Sequence, residues 1–348
     1  MGPTMKPVTI ALTMGDPAGV GPELVWRLSA GFRWAGAARV VVIGDGGALG
    51  AGRAATGAGG AVGEPGGAGG AGGAVAAGAA GAAGGALGPA FEFLDLANVR
   101  QHRWGQVRAE YGAAAREYIE TAVAMALDGR ADAVVTCPIN KESLAASGSP
   151  YPGHTEMLAA LTGAPRVGMC LVGGGLRVTL ATRHVPIAGV PAALTKRAVL
   201  DAIELTHEAG ADFGCPSPRI AVCGLNPHAG DGGVLGTEEG AVIRPAIEAA
   251  RAEGIEASGP YPADTVFVAA RRGDFDFVVP MYHDQGLVPL KLLGFEEGVN
   301  VTLGLPIVRT SVDHGTAFDI AGTGAAGAGS LMAAFELALS MAARRRGE

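Results

Sequence analysis

Residues 8–28 read Val-Thr-Ile-Ala-Leu-Thr-Met-Gly-Asp-Pro-Ala-Gly-Val-Gly-Pro-Glu-Leu-Val-Trp-Arg-Leu. The apolar run Val8–Leu12 has the length and composition of a buried strand. It breaks on a turn that holds Gly15, Pro17, Gly19, Gly21 and Pro22. A helix over Pro22–Leu28 is expected next, because proline suits the first helical turn, where its missing N–H costs nothing. Strand, tight turn and helix in succession form the repeating unit of an α/β protein. The turn is architectural on this reading, although its glycines would also let backbone N–H groups face a cleft.

The same alternation continues along the chain. Strands are expected over Arg39–Ile43, Ala131–Thr136, Arg177–Ala181, Arg219–Cys223, Phe275–Val279 and Val299–Leu303. Helices are expected over Glu110–Leu127, Pro191–Glu208, Glu238–Glu253, Gly286–Leu293 and Ser330–Ala343, and Ile119, Val123 and Leu127 carry the apolar spacing of the first. Three strand ends hand over directly to polar motifs, which is where α/β sheets bind ligands. Residues 50–90 interrupt this pattern. They are nearly all Gly and Ala, which bury little surface and lose much entropy on ordering, so the tract reads as a flexible insertion. It contains a GxGxxG match at Gly67, Gly69 and Gly72, but no strand precedes it and such a match is expected from composition alone.

Composition narrows the function. The 348 residues suffice for two lobes, and 49% hydrophobic content with only 5% aromatics implies a core of Ala, Val, Leu and Ile. A net charge of −7 argues against a nucleic-acid partner, which calls for a basic face. No apolar run approaches the ~20 residues that span a bilayer. Cys137, Cys170, Cys215 and Cys223 form no CxxC pair; with no secretory leader they read as reduced thiols of a cytoplasmic protein.

Histidine placement is more specific. Four of the seven histidines lie in turn-rich motifs: Gly-His-Thr-Glu at 153–156, Arg-His-Val-Pro at 183–186, Asn-Pro-His-Ala-Gly at 226–230 and Tyr-His-Asp-Gln at 282–285. Neutral imidazole is a common ligand of divalent transition metals. His184, His228 and His283 are therefore candidate ligands, although gaps of 44 and 55 residues prove no shared coordination. Asp231, Asp264 and Asp284 lie nearby in sequence and suit ligation or the orientation of an imidazole. Lys291, Asn300 and Arg309 form a second group, nine residues apart. Lys291 ends a helical run, Asn300 opens a strand and Arg309 follows the next one. Two cations and an amide meet the needs of a phosphate group. A third segment, residues 311–327, ends in a second GxGxxG match at Gly322, Gly324 and Gly327, here before a helix. It is either a connector or a glycine-rich loop that approaches an anionic ligand.

Read together, MGDPAGVGPE (14–23), PINK (138–141), GHTE (153–156), GLNPHAGDGG (224–233), GTEE (236–239), PADTVF (262–267), YHDQGL (282–287), GVNVTLGLP (298–306) and RTSVDHGTAFDIAG (309–322) closely resemble the 4-hydroxythreonine-4-phosphate dehydrogenase family of vitamin B6 biosynthesis. The likeness covers nearly the whole chain outside the Gly/Ala tract. It implies an isocitrate/isopropylmalate dehydrogenase-like α/β fold, not a Rossmann fold, with two lobes flanking a cleft. The expected lobes are 1–135 plus 286–348, carrying the cofactor loop, and 136–285, carrying the metal, substrate and dimer contacts. The resemblance assigns metal ligands to His184, His228 and His283, and substrate contacts to His154, Thr155, Lys291, Asn300 and Arg309. It assigns the cofactor to His314, Gly315, Thr316, Ala317 and Asp319. It also implies a homodimer whose active site takes one metal ligand from the neighbouring subunit.

The implied reaction is the metal-dependent oxidation of 4-phospho-L-threonine at C3 by NAD, or by NADP, followed by decarboxylation to 3-amino-2-oxopropyl phosphate. Zinc, cobalt or magnesium would serve as the ion. Lys141, Asp264 and Asp284 are alternatives for the proton acceptor. A relative acting on D-threonate or D-erythronate 4-phosphate is the nearest competing reading. A metal-dependent phosphohydrolase and a non-catalytic metabolite-binding protein are more distant ones.

Overall fold

The computed structural model describes residues 6–58 and 87–347. The glycine match at Gly67, Gly69 and Gly72 lies outside the described residues. The chain divides into two compact units, one of Met1–Thr162 with His314–Leu339, the other of Gly163–Asp313 with Ser340–Glu348. These divisions differ from those expected at 135/136 and 285/286. Two helices just beyond residue 136 stay with the first unit because they pack on its long central helix. Residues 299–312 stay with the second because they pair into its sheet.

In the first unit, β1 (Val8–Thr13), β2 (Ala38–Gly44), β3 (Phe91–Asp95) and β4 (Ala133–Thr136) run parallel in the order β3-β2-β1-β4. The chain moves outward from β1 to β2 and β3, then returns through the helix Ala109–Leu127 to the other side of β1. The direction of winding therefore reverses between the carboxyl ends of β1 and β4, the position at which α/β sheets open a crevice. Ile10, Ala11, Leu12 and Val40 are buried, as their apolar runs require. α1 (Gly21–Ala30) starts as expected, with Pro22 in its first turn.

α2 (Gly46–Thr56) corrects the reading of residues 50–90 as wholly flexible. Alanine favours the helix, and the small residues permit close packing: a Cβ on Gly52 would sit 2.6 Å from the Pro22 carbonyl. α3 (Ala109–Leu127) buries Ile119 and Val123, but Leu127 at its end is exposed. α4 (Lys141–Ala146) and α5 (His154–Thr162) complete this part of the unit. The few aromatics are concentrated, with Phe32 edge-on to Trp34, Phe91 and Phe335 at 4.8–5.7 Å.

The second unit has the strand order β11-β10-β5-β6-β9-β7-β8. Its strands are β5 (Gly168–Gly173), β6 (Leu176–Thr179), β7 (Ile220–Cys223), β8 (Ala257–Tyr261), β9 (Phe277–Val279), β10 (Val299–Leu303) and β11 (Val308–Val312). Neighbours from β11 to β6 are antiparallel, whereas β6, β9, β7 and β8 run parallel. The expected helix over Pro191–Glu208 is broken into α6 (Val190–Ala193) and α7 (Lys196–Ala209), because the Thr195 hydroxyl caps a new start by accepting from the Ala198 N–H at 3.1 Å. The expected helix over Glu238–Glu253 opens with a π turn, Glu239–Ile243, before α8 (Arg244–Ala252). Pro245 has no N–H with which to close the ordinary α-helical ladder there. α9 (Ala263–Arg272), α10 (His283–Gly294) and α11 (Gly329–Arg345) complete the described helices. None is long and apolar enough to cross a membrane, among the described residues. All four cysteines are free, as expected.

Asp45, at the end of β2, is buried and accepts from the Tyr118 hydroxyl and from the N–H groups of Asn98 and Val99. Desolvation dominates and lifts its carboxyl to about 6, despite those donors. A carboxyl raised in the folded state binds more protons there than when unfolded. Its stabilising contribution is complete below about pH 4 and is lost as pH rises toward 6. Asp45→Asn keeps the shape and removes the titration. The stability difference between this variant and the parent, measured by urea unfolding, should therefore shift in favour of the variant between pH 4 and pH 7. A difference independent of pH would exclude Asp45 as the titrating group.

Candidate active site

Four of the sequence motifs leave the carboxyl ends of the four adjacent parallel strands of the second unit. β6 leads to His184, β9 to His283, β7 to His228 and β8 to Asp264. Hydrogen bonds between these segments hold the edge together. The Ala181 and Thr182 N–H groups donate to the carbonyls of Pro280 and Met281 at 3.0 and 3.2 Å, and the Thr182 hydroxyl donates to the Met281 carbonyl at 2.7 Å. Gln285 takes the Met281 N–H at 2.7 Å and donates its own amide to the Gly224 carbonyl at 2.8 Å. The Gly224 N–H in turn donates to the Tyr261 carbonyl at 2.8 Å.

This lacing brings the rings of His184 and His283 to 5.6 Å between centroids. Two imidazoles bound at about 2.1 Å to one tetrahedral ion place their ring centres roughly 5 Å apart, so the pair has the spacing of co-ligands. His283 Nδ1 lies 2.6 Å from an Asp284 carboxylate oxygen. That contact fixes the ring and leaves Nε2 for a ligand bond, the arrangement common at metal-binding histidines. It gives Asp284 an orienting position. Asp264, in the first turn of α9, and Lys141, the first residue of α4, are exposed. Among the described residues no three His, Cys, Asp or Glu side chains gather closely enough to hold an ion. One chain therefore brings together two of the three expected histidines, and His228 stands outside the pair.

His228 occupies an unusual backbone. His228, Ala229, Gly230, Asp231 and Gly232 all have left-handed dihedrals, with φ of 52°, 53°, 80°, 43° and 68°. Three of these residues are not glycine, and each costs on the order of 1 kcal/mol in this region. The cost is offset by Glu239, a buried carboxylate that accepts from the N–H groups of Leu225 and Asn226 at 2.8 and 2.7 Å and from the Asn226 side-chain amide at 2.9 Å. Glu238 takes the same amide at 2.8 Å, which pulls its own carboxyl below the usual range.

The phosphate candidates come from three elements, α10, β10 and β11. Arg309 does not follow a strand, as expected, but lies within β11. It is buried and donates to the Thr302 hydroxyl at 3.0 Å, and burial pushes its guanidinium down to about 9. In the β10–β11 register Asn300 faces Ser311, so Asn300 and Arg309 share one face of the sheet. Lys291 lies inside α10 and pairs with Asp313 at 3.3 Å. Asp313 lies four residues after Arg309, just past the end of β11.

In the first unit, His154 and Thr155 open α5. The residues expected at the cofactor, His314, Gly315, Thr316, Ala317 and Asp319, form a loop anchored to the β1–α1 turn: Val20 donates to the Thr316 carbonyl at 3.0 Å. Further along, the buried Glu23 carboxylate accepts from the N–H groups of Gly322 and Gly324, and Arg27 donates to the Gly324 carbonyl. A Cβ at Gly322 would lie 2.5 Å from the Trp104 ring, and one at Gly324 would lie 2.3 Å from the Ala55 carbonyl. These two glycines of the second GxGxxG match thus serve close packing. Glu239, Gln285, Glu23 and Asp16 were not singled out from sequence. Each sits inside a quoted motif, but only its contacts in the fold reveal its part. Asp16 is fully buried, and desolvation lifts its carboxyl to about 6.

Comparison with known proteins finds a matching family model and similar chains. A family model described as pyridoxal phosphate biosynthetic protein PdxA matches residues 74–338. A 4-hydroxythreonine-4-phosphate dehydrogenase from Desulfosudis oleivorans is 49% identical over 336 residues, 96% of each chain. A D-threonate 4-phosphate dehydrogenase from Cupriavidus necator is 45% identical over 339 residues, 97% of this chain and 98% of that one. The crystal structure of 4-hydroxythreonine-4-phosphate dehydrogenase from Klebsiella pneumoniae superposes with a TM-score of 0.80 at 39% identity, covering 96% of this chain and 99% of that one.

Gly322→Ala tests the anchored loop. With φ of +86° and Trp104 in the way, the variant should lose more than about 1 kcal/mol of stability. Urea unfolding checks this, and an unchanged midpoint would show that the loop does not depend on close packing.

Proposed function

The chain belongs to the PdxA family of pyridoxal phosphate biosynthetic proteins, and from that premise we propose that it oxidises 4-phospho-L-threonine at C3. NAD accepts the hydride, with NADP as a possible substitute. The hydroxyl proton passes to a base, and the resulting β-keto acid loses carbon dioxide to leave 3-amino-2-oxopropyl phosphate. The observation that carries this reading is the His184–His283 pair at 5.6 Å, with Asp284 holding one ring.

The donor set, three imidazoles, fits a divalent transition ion such as zinc or cobalt. His184 and His283 of one chain would hold it with His228 of a second copy, and the bound ion would supply Lewis acidity toward the substrate oxygen. Asp284 orients His283. Arg309 and Asn300, on one sheet face, and Lys291 hold the anionic groups of the substrate, where the buried guanidinium gains most from an anion because little water competes. The same reading gives His154 and Thr155 to the substrate and loop 314–319 to the cofactor. Lys141 and Asp264 remain the candidates for the base, since Asp284 is engaged with His283. A D-threonate 4-phosphate substrate is the second reading, favoured by the Cupriavidus necator relative.

The copy that completes the site has a surface to meet. α10 exposes Val288 (63%) and Leu292 (84%), one turn apart on one face, and Phe295 (75%) is exposed just beyond its end. Ile187 and Val234, exposed in the segments that carry His184 and His228, extend this apolar character. Such a patch beside a site suits a homodimer.

Purified protein with NAD and 4-phospho-L-threonine should generate NADH, and a chelator should stop it. His283→Ala should lose at least about 100-fold in kcat/KM together with its bound metal. Full activity in that variant would end the assignment, and a substrate panel that includes D-threonate 4-phosphate separates the two readings. Leu292→Asp should shift the protein to monomer in sedimentation and lower its activity in parallel. A variant that stays dimeric would place the interface elsewhere.

A further inference from the structure

We propose that Glu239 is a positioning residue, which sets the direction of His228 by holding residues 226–232 in their left-handed turn. The inference rests on the metal reading above and goes beyond it by naming the device that makes the third ligand available.

Glu239 is 4% exposed, and its carboxylate reaches both arms of the turn. One oxygen accepts from the Leu225 and Asn226 N–H groups, where the chain leaves β7. The other accepts from the Asn226 side chain and lies against Gly230, where an added Cβ would be 2.6 Å from it. Within the turn, backbone bonds run from Ala229 to Asn226 at 3.1 Å, from Leu235 to Gly230 at 3.1 Å and from Val234 to Asp231 at 3.3 Å. These close the turn but do not choose its hand. Left-handed backbone at His228, Ala229 and Asp231 persists only when its surroundings over-determine it, and the arrangement clusters at functional sites. Glu239 supplies that constraint from the π turn Glu239–Ile243, itself a feature often found beside functional sites. Without the carboxylate the turn relaxes toward right-handed conformers, and the His228 ring leaves its direction while the rest of the unit stays folded.

The test uses the purified protein and cobalt(II) chloride, titrated and followed by visible absorbance, with thermal unfolding recorded alongside. Glu239→Gln should keep its unfolding midpoint within a few degrees and bind cobalt at least tenfold more weakly. Its kcat should recover at saturating cobalt, because excess metal recaptures a misdirected imidazole. Adding Ala229→Gly to Glu239→Gln should restore at least threefold of the affinity, since glycine enters the left-handed region freely. A purely structural role would move the midpoint and not the affinity of the folded protein. Should Glu239→Gln fail to fold, Asn226→Ala removes the same amide contact and should weaken cobalt in the same way. Wild-type cobalt affinity in these variants, with His228→Ala weakened, overturns the positioning role alone. Wild-type affinity in His228→Ala overturns the metal reading as well.

Discussion

The second unit depends on one constraint: the carboxyl ends of β6, β9, β7 and β8 are laced edge to edge by hydrogen bonds that bypass the strands themselves. Parallel strands lie about 4.8 Å apart, so loops leaving neighbouring strands start within a side chain's reach of one another. The Thr182–Met281 and Gln285–Gly224 bonds turn that proximity into fixed geometry. Side chains up to 99 residues apart along the sequence become neighbours for this reason. The pairing of His184 with His283 is a product of the lacing, not of either motif in isolation.

Much of this was legible in the sequence. Strand ends that run into Pro-Ile-Asn-Lys, Asn-Pro-His and Tyr-His-Asp pointed to an α/β sheet, and β10 falls where Val299–Leu303 predicted it. Other features were hidden because their causes are not periodic. β5, β8 and α9 carry weak or mixed patterns, and α2 was masked by a tract whose composition reads as disorder. Arg309 looked like a residue after a strand because a guanidinium is seldom placed inside one; a bond to the Thr302 hydroxyl on β10 helps to satisfy it there. Glu239 was invisible as a functional candidate because its acidity, not its motif, suggested a solvated surface.

In the first unit, buried acids do the work of tethering. Glu23 gathers N–H groups from Gly322 and Gly324, and Asp45 gathers those of Asn98 and Val99. Each carboxylate replaces lost water with oriented donors, which is how a chain with few aromatics secures long loops against its core. Gly322 and Gly324 are thus read correctly only with their neighbours present, since at those two positions close packing demands the absence of a side chain.

The lacing has a chemical direction. Gln285 works because one end of its amide receives a proton and the other offers one, between Met281 and Gly224. Hydrolysis of that amide to an acid would set a carboxylate oxygen against the carbonyl oxygen of Gly224, turning attraction into repulsion with almost no change of shape. Beyond the strands, the His283 and His228 segments are therefore joined through that one nitrogen atom, while the segment leading to His184 keeps its own bonds to Pro280 and Met281.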